Sequence, residues 1–329
     1  MRCTSKRIFS FICILCIILL TGCGQTDLYM SYDADYPVSG YKIIPADESE
    51  LAESFAGNLC VSEGTNAYNT DIDFSNVGAA GLFDITNHTT LYAKNLYQTR
   101  HPASLTKVMT ALVALKYGNL NDEITVSSTI NSLPAEASVS GLAVGDVLTL
   151  DQALHALLIC SGNDAAIAIA EYLGGSIEGF SDMMNKEALA IGATGSHFTN
   201  PHGLTEENHY VTAYDMYLIF NEALKYDTFT EIIAMSSYTT QYSDKKGKSV
   251  EMNIKTTNYY LNGNTRTPDK ITVIGGKTGT TNAAGQCLIL YSKDIYGNSY
   301  ISVILGGSER QVMYSQMTEL LEEVYHQNS

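Results

Sequence analysis

Apolar positions along the chain fall into three regimes. The first is a continuous run, Ile8 to Leu20, behind the basic residues Arg2, Lys6 and Arg7. At about 13 residues it is short for a membrane span, which needs ~20, and it suits the core of a signal peptide. Leu20-Thr21-Gly22-Cys23 closes it. Small residues before a cysteine at the end of an apolar run predict cleavage before Cys23 and acylation of its thiol, so residues 1–22 are expected to be a lipoprotein signal. An uncleaved anchor is the other reading of the same run. The second regime has no sustained period. Tyr29, Tyr32, Tyr36 and Tyr41 lie among Asp, Ser, Gly and Pro, with one short helix expected at Ser49–Leu59. Residues 23–77 therefore predict a lipidated N-terminal tether.

The third regime, residues 78–329, is patterned throughout. Gly78–Ile85 and Thr90–Lys94 predict a hairpin with Asn87 and His88 in its turn. Ser104–Tyr117 is apolar on all sides at helical length and is closed by Gly118, which predicts a buried helix. Thr149-Leu150-Asp151-Gln152 is a capping box for a helix reaching about Cys160. Further helices are expected at Asp164–Leu173, Ile177–Ile191 and Ala213–Tyr226, with Thr212 as an N-terminal and Gly192 as a C-terminal signal. From Tyr238 the period changes to that of strands. These are expected at Ser237–Ser243, Ser249–Thr256, Ile271–Gly275, Gln286–Ser292 and Tyr300–Leu305, with a turn at Tyr296–Ser299 and a closing amphipathic helix at Gln311–Tyr325. Strands at both ends and helices between predict an α+β fold. An antiparallel sheet is built from both chain ends, with flanking helices and an inserted helical subdomain.

Composition narrows the partners. The formal net charge of the 329 residues is −16, and losing residues 1–22 removes three positive charges, which gives −19. That balance argues against nucleic acid or anionic lipid as the main surface partner. Hydrophobic residues at 45% and charged residues at 16% are globular proportions, which excludes a largely disordered chain. Of seven cysteines, Cys3, Cys13 and Cys16 lie in the signal and Cys23 takes lipid, leaving Cys60, Cys160 and Cys287. An odd remainder at wide spacing is no disulfide framework, and no C-x-x-C pair suggests zinc. The three are expected to be small, mostly buried hydrophobes. A Cys160–Cys287 bridge stays open.

Three short elements carry chemistry. Ser104-Leu105-Thr106-Lys107 starts the buried helix, and residues i and i+3 share a helix face, so the Lys107 amine is within reach of the Ser104 hydroxyl. The helix N-terminus supplies N–H donors and a positive dipole end. Apolar surroundings lower a lysine pKa, and a neutral amine beside a hydroxyl makes an activated nucleophile. A second S-x-x-K, Ser243–Lys246, lies in a polar turn and is expected to be solvated surface. Ser161-Gly162-Asn163 joins two helices. Its hydroxyl and amide suit proton relay and carbonyl binding, and the same residue types also serve as helix caps. Lys277-Thr278-Gly279-Thr280 follows Gly275-Gly276. Small residues on an edge strand admit a ligand backbone, and a lysine with a hydroxyl beside it binds a carboxylate. An ordinary strand-end turn is the alternative.

In this order the three elements match the S-x-x-K, S-D-N and K-T-G signature of penicillin-recognising serine enzymes, with Gly162 in place of the signature's Asp. Flanking text includes Pro102-Ala-Ser-Leu-Thr-Lys107, Ser161-Gly-Asn-Asp-Ala-Ala166, Asn200-Pro-His-Gly-Leu204 and Gly276-Lys-Thr-Gly-Thr-Thr281. Over about Gly78 to Gly307 the chain resembles the low-molecular-mass D-alanyl-D-alanine carboxypeptidases. The resemblance implies a β-lactamase/transpeptidase-like fold, with residues 78–329 as the catalytic domain. It implies a serine D,D-carboxypeptidase that removes the terminal D-alanine of peptidoglycan stem peptides through an acyl-enzyme, with β-lactams as inhibitors and no metal or cofactor. By the same resemblance Ser104 attacks, Lys107 takes its proton and activates the deacylating water, and Ser161 helps protonate the departing D-alanine. Asn163, Lys277, Thr278, Gly279 and Thr280 bind substrate, with Lys277 and Thr278 on the terminal carboxylate. The N–H groups of Ser104 and Thr280 form the oxyanion hole.

Two departures from the family pattern matter. Many members continue into a β-rich domain and a C-terminal amphipathic anchor, whereas about 22 residues follow Gly307 here, room for one helix. Lipid on Cys23 is expected to replace that anchor at the outer face of the cytoplasmic membrane. The Glu-x-x-Leu-Asn setting of the deacylating acid in class A β-lactamases also has no counterpart among Glu178, Glu187, Glu206 and Glu207. Other readings stay open at this point: a class A-like β-lactamase, a D,D-endopeptidase and a catalytically silent peptidoglycan-binding lipoprotein. A zinc D,D-peptidase using Glu206, His209, His197 and His202 is the fourth.

Overall fold

The computed structural model describes residues 56–62 and 72–326. The expected signal, Cys23 and most of the helix expected at Ser49–Leu59 lie outside the described residues. Strand β1 (Ala79–Asp84) and strand β2 (Thr89–Lys94) form the expected hairpin. The Asp84 carboxylate sets its turn by accepting from the Thr86 and Asn87 amides. The chain then reaches a 3-10 turn, Ala103–Leu105, that runs straight into α1 (Thr106–Tyr117). Every residue from Thr106 to Ala114 is buried, as an all-round apolar helix requires.

A helical middle follows: α2 (Leu150–Ile159), α3 (Asn163–Gly174), α4 (Ile177–Ala190), α5 (Ala213–Ala223) and α6 (Asp227–Ile233). The capping box at α2 is present on both sides, Gln152 N to Thr149 Oγ1 at 3.2 Å and Thr149 N to Gln152 Oε1 at 3.0 Å. Thr212 caps α5 by accepting from the Asp215 amide. The helix expected to reach Tyr226 stops at Ala223, because Tyr226 turns extended and α6 restarts the chain. That break lets Phe229, Ile232 and Ile233 reach the core, where Phe229 meets Phe220 edge-on at 5.4 Å.

Two antiparallel sheets frame the helices. Strands β3 (Glu123–Thr125), β4 (Val147–Thr149), β5 (Ser237–Ser243) and β6 (Ser249–Lys255) form one in chain order. The other runs β2-β1-β9-β8-β7, with β7 (Ile271–Thr281), β8 (Gly285–Asp294) and β9 (Ser299–Gly307). It is therefore built from both chain ends, as expected, and β7 forms its free edge. Closing helix α7 (Arg310–His326) covers one face, packing Met313, Tyr314, Met317 and Leu320 on Leu82, Leu288, Leu290 and Ile304. The opposite face, with Phe83, Ile289, Ile301 and Val303, packs on the helical middle. The α+β class and the inserted helices stand. Strand β7 is six residues longer than expected, ending at Thr281 in place of Gly275, so the Lys-Thr-Gly element lies within the strand. Among the described residues no helix is long and apolar enough to cross a membrane.

Part of the expected tether is folded onto the domain. Cys60 is fully buried, its amide donating to Tyr217 Oη at 2.9 Å and its carbonyl accepting from Tyr214 Oη at 2.8 Å. Val61 bridges Thr89 at the start of β2. Phe74 and Val77 are buried under α7. Cys60, Cys160 and Cys287 are all free thiols; Cys60 and Cys287 are buried, while Cys160 is half-buried. The bridge left open between Cys160 and Cys287 is absent.

Candidate active site

Ser104 sits where the 3-10 turn feeds α1. Ala103 before it has φ +48°, a left-handed conformation costly for alanine, and Gly203 (φ +87°) packs directly on the Ala103 carbonyl. One turn later Lys107 points back into the site. Its Nζ donates to Ser104 Oγ at 3.0 Å, Asn163 Oδ1 at 2.6 Å and the His202 carbonyl at 2.7 Å. The Lys107 side chain is 0% exposed. Burial, reinforced by the nearby Lys277 charge, holds its pKa well below the usual lysine value.

The connection between α2 and α3 supplies the second wall. Ser161 has φ +65°, and Gly162, not Ser161 or Asn163, occupies the N-cap position of α3 with no side-chain cap. The capping alternative is thereby excluded, since both side chains point into the site. Asn163 meets Lys107, and Ser161 Oγ accepts from Lys277 Nζ at 3.0 Å. Asp164, fully buried next door, accepts from the Ser140, Gly141 and Leu142 amides and so folds the loop before α2 against this wall.

The third wall is the edge strand β7. Lys277 is also buried, donating to the Thr278 carbonyl at 2.9 Å, and desolvation lowers its pKa to about 7. Thr278 Oγ1 shares a 2.5 Å hydrogen bond with Thr257 Oγ1. A Cβ on Gly279 would lie 2.9 Å from the Ser104 amide nitrogen and 3.0 Å from the Pro102 carbonyl, so only glycine brings the strand this close to the serine. The three elements, over 170 residues apart in sequence at their extremes, thus enclose one cavity of about 610 Å³, with Ser104, Ser161, Asn163, Thr278, Gly279 and Thr280 in its lining.

This constellation is a hydroxyl held against a buried amine, with a second buried amine held against Ser161 in the lining of the same cavity. It belongs to acyl-transfer chemistry, and the family follows from the whole chain: residues 69–309 match the family model described as D-alanyl-D-alanine carboxypeptidase, peptidase S11. The chain belongs to this family. DacF of Bacillus subtilis, named a D-alanyl-D-alanine carboxypeptidase, is 34% identical over 76% of this chain. The match spans 62% of that relative's length, and 59% of DacC of Escherichia coli at 33% identity. A Streptomyces sp. K15 enzyme of the same curated name is 29% identical and covered over 86% of its length. The crystal structure titled Streptomyces K15 DD-transpeptidase superposes with a TM-score of 0.70 at 28% identity, over 75% of this chain and 96% of that one.

Two contributions to the site come from outside the three elements and were not assigned from the sequence. The Asn200–Leu204 loop contributes a backbone carbonyl, that of His202, and buries its ring, whose pKa falls to about 3. Arg310 at the start of α7 lines the cavity, its Nη2 donating to Thr280 Oγ1 at 3.4 Å. The histidines expected for a zinc site do not converge with Glu206, and among the described residues no three His, Cys, Asp or Glu cluster as metal ligands. His209 engages Thr106 Oγ1 at 2.8 Å and the Thr199 amide at 3.1 Å. The second S-x-x-K, at Ser243, is exposed in the β5–β6 turn.

Proposed function

We propose that the chain is a serine D,D-carboxypeptidase of the bacterial cell wall, cleaving the terminal D-alanine from peptidoglycan stem peptides and acylated by β-lactams. The observation that carries this is the Lys107 amine, fully buried and 3.0 Å from Ser104 Oγ. A neutral lysine has two N–H donors, and the Asn163 oxygen and the His202 carbonyl are placed to accept them. Its lone pair then faces the Ser104 hydroxyl, takes the proton as Oγ attacks the carbonyl, and later activates water for deacylation. The Ser104 and Thr280 amides receive the oxyanion, Gly279 giving the strand its close approach. Ser161, polarised by Lys277, returns a proton to the departing D-alanine. Lys277, Thr278 and Arg310 take the terminal carboxylate, and Asn163 orients the acyl side. Residues 78–329 form the catalytic domain, and lipid on Cys23 holds it at the outer face of the cytoplasmic membrane.

Mass spectrometry of the protein with penicillin tests the chemistry: one adduct is expected on the peptide containing Ser104, absent in Ser104→Ala and retained in Ser243→Ala. Labelling that survives Ser104→Ala sinks the assignment. Release of D-alanine to water, as against transfer to an added amine, separates a carboxypeptidase from a transpeptidase. A fatty-acid probe that marks the wild type and not Cys23→Ala supports the lipid anchor; marking of neither leaves an uncleaved segment.

A further inference from the structure

One carboxylate at the mouth of the cavity has no task in this scheme. The loop 133–141 lies across from β7 and is pinned at its downstream half. The Asn163 amide donates to the Ser138 carbonyl at 2.8 Å, and Ser138 Oγ donates to the Cys160 carbonyl at 3.0 Å. Two residues upstream, Glu136 lines the cavity, is exposed, and makes no ion pair or side-chain hydrogen bond with any described residue. Asp164, behind the same wall, is not available to a ligand, because its oxygens are held by the amides of Ser140, Gly141 and Leu142.

The charges around the cavity are sparse and divided. Glu136 brings the one carboxyl and Arg310 the one guanidinium among its lining residues, and burial keeps the His202 ring neutral. Arg310 stands on the β7 side, bonded to the neutral Thr280 and Gln286 side chains and to no carboxylate among the described residues. Ser104 touches Gly279 of β7 and is joined through Lys107 to Asn163, the residue given the acyl side above, whose amide holds Ser138 of the loop. A peptide whose terminal carboxylate is held on the Arg310 side therefore runs its acyl-donor part toward the loop wall and Glu136. Resting on the function proposed above, we infer that Glu136 is a specificity-determining residue. It receives a primary ammonium from a diamino-acid side chain upstream of the scissile bond, and so selects stem peptides whose amine is free over those whose amine is acylated.

An exposed pair of this kind changes a rate constant only modestly, about three- to fivefold, and is weakened by salt. The experiment compares kcat/KM of the full-length protein in detergent for two peptides. One is Nα-acetyl-Lys-D-Ala-D-Ala with a free ε-amine, and the other is the same peptide acetylated on that amine. The ratio within one variant cancels losses of active fraction. The expected ratio is about three to five for the wild type, close to one for Glu136→Gln and below one for Glu136→Lys, whereas Glu231→Gln, at an exposed position of α6, keeps the wild-type ratio. A wild-type ratio of one, or an undiminished ratio in Glu136→Gln, overturns the inference while leaving the proposed function standing. Cleavage of neither peptide by folded protein overturns both.

Discussion

Burial treats Lys107 and Lys277 alike, and their partners tell them apart. Lys107 faces three oxygens including the serine hydroxyl, while Lys277 faces Ser161 and its own strand. On the proposed mechanism the first must lose its proton to act, and the second must keep it to attract a carboxylate. Lys107→Arg preserves charge and removes any usable neutral form, so acylation by penicillin should fall by several powers of ten, whereas Lys277→Arg should retain part of the rate. Lys277→Ala should lose about 10- to 150-fold, the worth of a charge-assisted contact. A pH series separates the two lysines further. Lys277, with its pKa near 7, is an ammonium below that pH and an amine above it. The rate ratio of penicillin to its methyl ester should therefore fall as pH rises from 6 to 9, levelling above one because the Arg310 guanidinium also lines the cavity. The proton loss of Lys107 affects both ligands equally and cancels in the ratio. At this scale Ser104 and Lys107 were legible because spacing on a helix is enough to join them. Ser161 and Asn163 were ambiguous, since caps and sites use the same residue types. The His202 carbonyl was invisible, because every residue has one.

Among the elements, the long and periodic ones were legible and the short ones were not. Strands β3 and β4 have three residues each, too few to show alternation, and exist because β5 offers an edge to β4 and β4 one to β3. The break between α5 and α6 contains neither glycine nor proline; packing of Phe229 on Phe220 imposes it. The glycines of β7 fitted an edge strand and a strand-end turn equally well; the strand is what forms, and Gly279 lets it approach the serine closely. Glycine also holds the Asn200–Leu204 loop against the turn before α1. A Cβ on Gly203 would lie 1.9 Å from the Ala103 carbonyl, and the residue has φ +87°. Gly203→Ala should destabilise by about 2–4 kcal/mol and slow acylation, because the His202 carbonyl and Ser104 shift together. Gly247→Ala, at φ +76° with open space around it, pays only backbone strain of about 1–2 kcal/mol and should acylate normally. Urea midpoints and labelling rates of the two variants check this.

For the molecule as a whole, the sequence pattern conveyed that the sheet closes from both ends, and left unseen the strap at 56–62 that packs on it. Cys60 looked like one more small hydrophobe; its depth comes from Tyr214 and Tyr217, which lie over 150 residues away and hold its backbone. Protein beginning at residue 72 should unfold about 5–10 °C below protein beginning at residue 55, while its Ser104 still labels with penicillin; thermal melts with and without the strap decide it. The strap's place also sets a direction. Val61 pairs at the β2 margin of the five-stranded sheet, and Lys277 to Thr280 lie on β7 at the other. Four strand spacings of about 4.8 Å put roughly 19 Å between the two margins. The strap and the Lys-Thr-Gly strand thus bracket the sheet, so a loosening of the strap has the width of the sheet to cross before it is felt at the serine.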